Sequence, residues 1–323
     1  MVSPDKRSAF QTLRRLGGEI DGDSGQQNAG IYVVKHRYTN KEYIEKRVAP
    51  IAGNAQYAFR EMRAMVQCEG HPHIVSIFAH DLSGPYGSLF MQQCELGSLD
   101  SLILRLVERR AKLPDEGFLW KVFWDMSLAV CYLWSGHDYA DTRRRAMNGK
   151  RVKATVEGWN SIIHRDIKPA NIFMTWDSGP SLDQPSAYPR LLLGDFGCTV
   201  SKNDLATQDP SLIGGADSNF TAPGPRFSKF VDVYGVALVL QCLGMMSQIP
   251  VPSATAREQL RLGLSSQASS ELVERVELCL AVDPEVRPPP RDLPVYVANG
   301  FKVWRAGRRD DGQPLPSWAF GWM

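Results

Sequence analysis

The segment IIHRDIKPANIF, residues 162–173, sets His164, Arg165, Asp166, Lys168 and Asn171 between two apolar ends. An acid, a cation and an amide this close together suit phosphoryl transfer. A carboxylate can orient a hydroxyl and take its proton, a lysine can neutralise the charge in transit, and an amide oxygen can help hold a divalent cation on phosphates. Asp166, Lys168 and Asn171 are the candidates for those three tasks. A metal needs a second, acidic ligand, and LLLGDFGCTV offers Asp195 after an apolar strand-like run, 24 residues beyond Asn171 (195 − 171). Asp and Asn more often do no more than cap turns. The four together, however, form a complete acceptor and metal set.

Such a set needs rigid elements beneath it. IYVVKHR and EYIEKRV are β-branched and aromatic runs joined through YTNK, and predict a hairpin. NAQYAFREMRAMVQC carries Phe59, Met62, Met65 and Val66 at helical spacing, and HPHIVSIFAHDL and GSLFMQQC return to strand patterning. Past Gly97 the character turns helical. PDEGFLWKVFWDMSLAVCYLW opens at Pro114 and Asp115, FVDVYGVALVLQCLGMM reads as a buried helix, and SSELVERVELCLAV has a serine cap with Glu271 in its first turn. Asp138–Gly158 and TWDSGPSLDQPSAYP read as polar insertions, the first with a basic cluster best taken as a solvated surface loop.

Composition narrows the class. The chain has 323 residues, 43% hydrophobic and 22% charged, with a formal net charge of +2. That is the profile of a globular protein and gives no reason to expect a nucleic-acid or membrane partner. The six cysteines are scattered with no CxxC pair, and no apolar secretion signal follows Met1. Reduced thiols in an intracellular protein, cytoplasmic or nuclear, are therefore expected rather than disulfides or zinc.

HRDIKPAN together with DFG resembles the catalytic loop and metal loop of eukaryotic protein kinases, and the Lys-Pro after the Asp is the serine/threonine version of that loop. The resemblance extends in order along the chain. It implies that Lys46 grips nucleotide phosphates, paired with Glu61 fifteen residues on. It implies that Met91, in FMQQCELGSL, controls access behind the adenine, with Ile31, Ile44, Cys94 and Phe173 as further ATP contacts. Asp232 would anchor the catalytic loop, and His164 and Phe196 would pack beneath the helix of Glu61. The implied fold is α+β and two-lobed: one domain over 10–300, a β-rich lobe over 10–96, a helical lobe over 97–300, and a tail over 301–323. ATP and Mg²⁺ are the implied cofactors, with protein Ser/Thr substrates and an upstream activating kinase as partners. HRDIKPANIF, after a long preceding segment, is similar to the NIMA-related kinases.

Four departures stand against that pattern. GGEIDGDSGQQNAGIYVV has no clean GxGxxG, leaving Ser24, Gln26 and Ala29 at the usual glycine positions. Ile44 is bulkier than the usual adenine ceiling. Gly224 in NFTAPG replaces a glutamate that would pair with Arg287, so the arginine should find another acid or reach water. Asp217 or Ser218 falls where a threonine usually contacts the catalytic Asp and Lys. These departures motivate one alternative, a kinase-fold scaffold with weak nucleotide binding. A small-molecule kinase is a second, but such relatives lack the Arg-Asp-x-Lys-Pro pattern. Arg165, next to the catalytic acid, invites a phosphate on Thr199, Ser201, Thr207, Ser211, Ser218 or Thr221.

Overall fold

A computed structural model describes residues 6–16, 28–48, 55–83, 87–176, 188–208, 213–251, 268–306, 308 and 312–321. The glycine-rich stretch with Ser24 and Gln26, most of TWDSGPSLDQPSAYP, and Ser211 lie outside them. The chain divides into two compact units, Met1–Cys94 and Glu95–Met323.

Among the described residues, the first unit holds a five-stranded antiparallel sheet and one α-helix. Strands β1 (Phe10–Leu16), β2 (Asn28–His36), β3 (Glu42–Val48), β4 (Ile77–Asp81) and β5 (Gly87–Met91) lie in the order β1-β2-β3-β5-β4. Alternation along β3 puts Ile44 and Lys46 on one face and Glu45 and Arg47 on the other. On the Glu45 side the core is aromatic. Phe10 stacks on Phe90 at 3.7 Å, and Val34 and Ala79 close the cluster. Glu45 is fully buried there, held by Arg7 Nε at 2.5 Å, Arg47 Nη2 at 3.1 Å and the Ser88 hydroxyl at 2.8 Å. Helix α1 (Ala55–Gln67) buries Ala58, Arg60, Glu61, Ala64 and Met65. Phe59, expected on the inner face, is 46% exposed, because the buried stripe runs one position away from it.

The second unit is mainly helical. Helix α2 (Leu99–Glu108) opens on a capping box between Ser98 and Ser101. Helices α3 (Gly117–Ser135) and α6 (Val231–Met245) are apolar almost all round and buried accordingly. Between α3 and the short strand β6 (Ile162–Ile163) lies α4 (Tyr139–Met147), capped by Asp138. This corrects the loop reading: Thr142 and Ala146 are buried and α4 packs on α8 (Leu293–Ala306), while Arg144 faces solvent. Strand β7 (Ile172–Thr175) pairs with β8 (Arg190–Leu193), and β6 with β9 (Val200–Ser201). Helices α5 (Lys202–Thr207) and α7 (Ser270–Cys279) also belong to the unit. Ser269 caps α7 as its sequence predicts.

Candidate active site

Two short ladders assemble the second unit's polar residues. In β7–β8 Ile172 faces Leu193, and the next amide, Gly194 N–H, donates to Asn171 O at 2.9 Å. Asn171 and Asp195 therefore flank the same end of one hairpin. Asp195 has φ 57°, and its carboxylate accepts from Gly197 N–H at 3.4 Å. The β6 strand delivers His164, Arg165 and Asp166. Asp232, at the start of α6, accepts the His164 amide at 2.8 Å and the Arg165 amide at 2.8 Å. Burial pushes the Asp232 carboxyl above its ordinary value, although those two amides and the Arg165 guanidinium pull the other way.

Asp166 is 5% exposed and is held from three sides. Asn171 Nδ2 donates to its backbone oxygen at 2.8 Å and to Oδ2 at 2.9 Å. Lys168 Nζ stands 3.3 Å from Oδ2, and Asp217 N–H donates to Oδ1 at 3.4 Å. Asp217 also reaches Lys168 with its own carboxylate at 3.5 Å. So Asp217 makes both contacts that the resemblance assigns to a threonine. Burial alone would lower Lys168, but Asp166, Asp217 and Asp195 outweigh it and hold the ammonium above the ordinary lysine value. The Asn171 donor end is committed to Asp166, which leaves Oδ1 as the end able to take a cation. An amide oxygen and a carboxylate at one hairpin end are hard donors of the kind Mg²⁺ accepts.

His164 is fully buried, edge-on to Phe196 at 4.9 Å. Asp166 N–H points at its Nδ1 at 3.3 Å, and its Nε2 lies 3.1 Å from Gly194 O. That pattern fits only a neutral ring with the proton on Nε2. Arg165, at φ 71° and 4% exposed, donates to Cys198 O at 3.0 Å and Gly214 O at 2.9 Å and lies over Phe227. Loop carbonyls thus already occupy the guanidinium. Thr199 and Ser201 are buried, so Thr207, Ser218 and Thr221 are the exposed hydroxyls among the described candidates.

In the first unit, Lys46 Nζ donates to Glu61 Oε1 at 2.8 Å, with both side chains largely shielded. Ile44 faces Met91 across β3–β5, and Ile31 faces Lys46 across β2–β3. Cys94 is buried at the unit's end, while Phe173 belongs to β7 in the second unit, bridged to Ser98.

Arg287 resolves differently from either expectation. It is 2% exposed and donates only to carbonyls: Ala281 at 2.8 Å, Pro223 at 3.0 Å, Val282 at 3.3 Å and Phe230 at 3.4 Å. Its guanidinium also lies over the Tyr234 ring at 4.7 Å. A cage of carbonyl dipoles and a π face takes the place of the missing glutamate.

No family model matches the chain. Among curated proteins it is similar to the membrane-associated tyrosine- and threonine-specific cdc2-inhibitory kinase wee-1.3 of Caenorhabditis elegans, 26% identical over 303 residues, covering 90% of this chain and 38% of that one. It is 24% identical over 241 residues to the G2-specific protein kinase nimA of Emericella nidulans, covering 68% of this chain and 31% of that one. To the dual specificity mitogen-activated protein kinase kinase dSOR1 of Drosophila melanogaster it is 26% identical over 250 residues, with coverage of 74% and 51%. The chain thus spans between 31% and 51% of the length of these relatives. All three are protein kinases, and the resemblance to that family, NIMA-related members included, holds over most of the chain.

Proposed function

We propose that this chain, whose two-lobed α+β fold and relatives are those of protein kinases, transfers the γ-phosphoryl group of ATP to serine and threonine hydroxyls of proteins. The observation that carries the reading is the closed set Asp166, Lys168, Asn171 and Asp217 beside Asp195. Asp166 orients the acceptor hydroxyl and takes its proton, and its fixed carboxylate lets it do so without rearranging. Lys168, kept cationic by its acidic neighbours, neutralises the phosphoryl group in transit. Asn171 Oδ1 and Asp195 would hold Mg²⁺, which when bound neutralises the nucleotide's phosphate charge. Lys46, steadied by Glu61, grips the phosphates, and Ile31, Ile44, Met91, Cys94 and Phe173 are the proposed further ATP-binding residues.

Serine/threonine preference rests on the Lys-Pro after Asp166. The scaffold alternative finds no support in the relatives, and every residue of the acceptor and metal set is present. We propose a single kinase domain over 10–300, protein substrates, and an upstream kinase acting on Thr207, Ser218 or Thr221. The six cysteines are all free, which supports a reducing, intracellular setting. No described helix is long and apolar enough to cross a membrane.

The test is phosphate incorporation from ATP·Mg²⁺, read by mass spectrometry on the chain itself and on a generic basic protein, with Asp195→Asn alongside. Transfer onto Ser and Thr that vanishes in the variant is expected. Absence of transfer in the wild-type chain, even after treatment with an upstream kinase, overturns the proposal.

A further inference from the structure

The chain's last described residues return to the body of the second unit. Gly321 N–H donates to Leu96 O at 3.0 Å, a main-chain bond of the kind that joins strands. On its other side, the segment around Leu96 is tied to β7: Leu96 N–H donates to Met174 O at 3.2 Å and Met174 N–H to Gly97 O at 2.8 Å. Residues 96–98 are therefore flanked by β7 and by the C-terminal segment. Arg105, on α2, reaches across with both terminal nitrogens, donating to Ala319 O at 3.4 Å and to Gly321 O. Phe320 packs edge-on against Trp176 at 5.5 Å, and Arg109 lies over Trp318 at 4.8 Å. Leu315 is 6% exposed and Ala319 fully buried. Gly97 sits at φ 85°, and a Cβ there would collide with Gly321 O.

We propose that Leu96–Gly97, α2 and Trp176 form a peptide-binding groove whose occupant is the chain's own segment Leu315–Gly321, held in cis as a strap. Two anchoring modes point to a peptide as the ligand. The Gly321–Leu96 bond and the Arg105 bonds read main-chain atoms, as in strand addition. Leu315, Trp318, Ala319 and Phe320 supply the apolar and aromatic contacts that select the sequence. The strapped segment directly follows the boundary between the two units. Its anchoring on β7 runs through Glu95 as well, whose carboxylate takes the Thr175 hydroxyl at 2.7 Å and the Trp176 amide at 2.6 Å. Strap release would therefore loosen 95–98 and the end of β7 together.

The test uses the full chain, a chain ending at Gly312, and a synthetic peptide of residues 313–323. Amide hydrogen exchange over 95–98 and 172–176 is expected to quicken about tenfold or more in the shortened chain. The peptide should bind that chain at one site and restore slow exchange, and it should not bind the full chain. In the full chain, Arg105→Ala with Phe320→Ala should give the same local quickening, which keeps the idea testable if the shortened chain does not fold. Unchanged exchange in the double variant overturns the strap. So does exchange protection that depends on protein concentration, because the occupant would then be another copy's tail. None of these readouts depends on phosphate transfer, so the strap and the proposed activity stand or fall separately.

Discussion

Restoring the glutamate that the kinase resemblance calls for at position 224 should weaken the protein. A sequence-based repair would write Gly224→Glu to give Arg287 its acid. The structure argues the opposite. Gly224 sits at φ 103°, a conformation that costs an L-residue roughly 1–2 kcal/mol. An added Cβ would stand 2.5 Å from Pro284 Cγ, a ring carbon with little freedom to withdraw, so the backbone itself must shift. The compensating ion pair offers little, since Arg287 already has four carbonyl acceptors and the Tyr234 ring. A net loss of about 2–5 kcal/mol follows from strain plus overpacking. Urea denaturation of wild type, Gly224→Ala and Gly224→Glu measures it. Alanine should carry most of the loss, because the penalty arises at Cβ. Arg287→Met should also destabilise, by roughly 1–3 kcal/mol, as buried carbonyls lose their donors. If Gly224→Glu matched or exceeded wild-type stability, the reasoning would be refuted.

Asp232→Ala removes the acceptor of two buried amides, so a loss of about 2–5 kcal/mol in unfolding free energy is expected, with the proposed transfer activity falling in the fraction that stays folded. The buried thiols of Cys68, Cys131, Cys242 and Cys279 are all pushed up by burial from an ordinary value of 9.0, Cys131 and Cys242 to about 12. Below pH 9 neither folded nor unfolded thiols ionise; above it only the unfolded ones release protons. Stability should therefore fall as pH rises from 9 toward 12, at about 1.4 kcal/mol per pH unit for each thiol, and urea midpoints at pH 9, 10 and 11 that do not decline would contradict this. Under native conditions a thiol reagent should label Cys198 first, since it is the one cysteine not buried; mass spectrometry of briefly alkylated protein identifies the site.

The polar cluster was legible because its chemistry is written in side chains within one short segment. Asp166, Lys168 and Asn171 need only a turn to meet, and the strand pattern of LLL fixed where Asp195 emerges. Features resting on main-chain atoms were hidden. The carbonyl cage around Arg287 and the loop carbonyls that engage Arg165 have no residue signature, so the sequence pointed to acids, water or phosphate instead. Helix α4 escaped because its inward face is carried by Thr142 and Ala146, too small to make an apolar stripe. Phe59 misled in the opposite sense: a large apolar residue drew the helix's inner face toward itself, while Ala58, Glu61 and Met65 are what α1 buries. Docking of the C-terminal aromatics rests on Arg109 and Trp176, far away in sequence.

Arg165 and Asp195 are two of the five non-glycine residues with positive φ among the described residues, and both lie in the candidate site. Either position would be more comfortable as glycine by about 1 kcal/mol. Asp195→Gly relieves that strain but gives up the Gly197 N–H acceptor and adds unfolded-state entropy, so it should be near neutral in stability while abolishing the proposed transfer. A screen for thermal robustness alone would not protect Asp195, and with it the proposed chemistry. Selection on this chain must couple the two properties, and any stabilised variant is worth sequencing at position 195 before its activity is assayed.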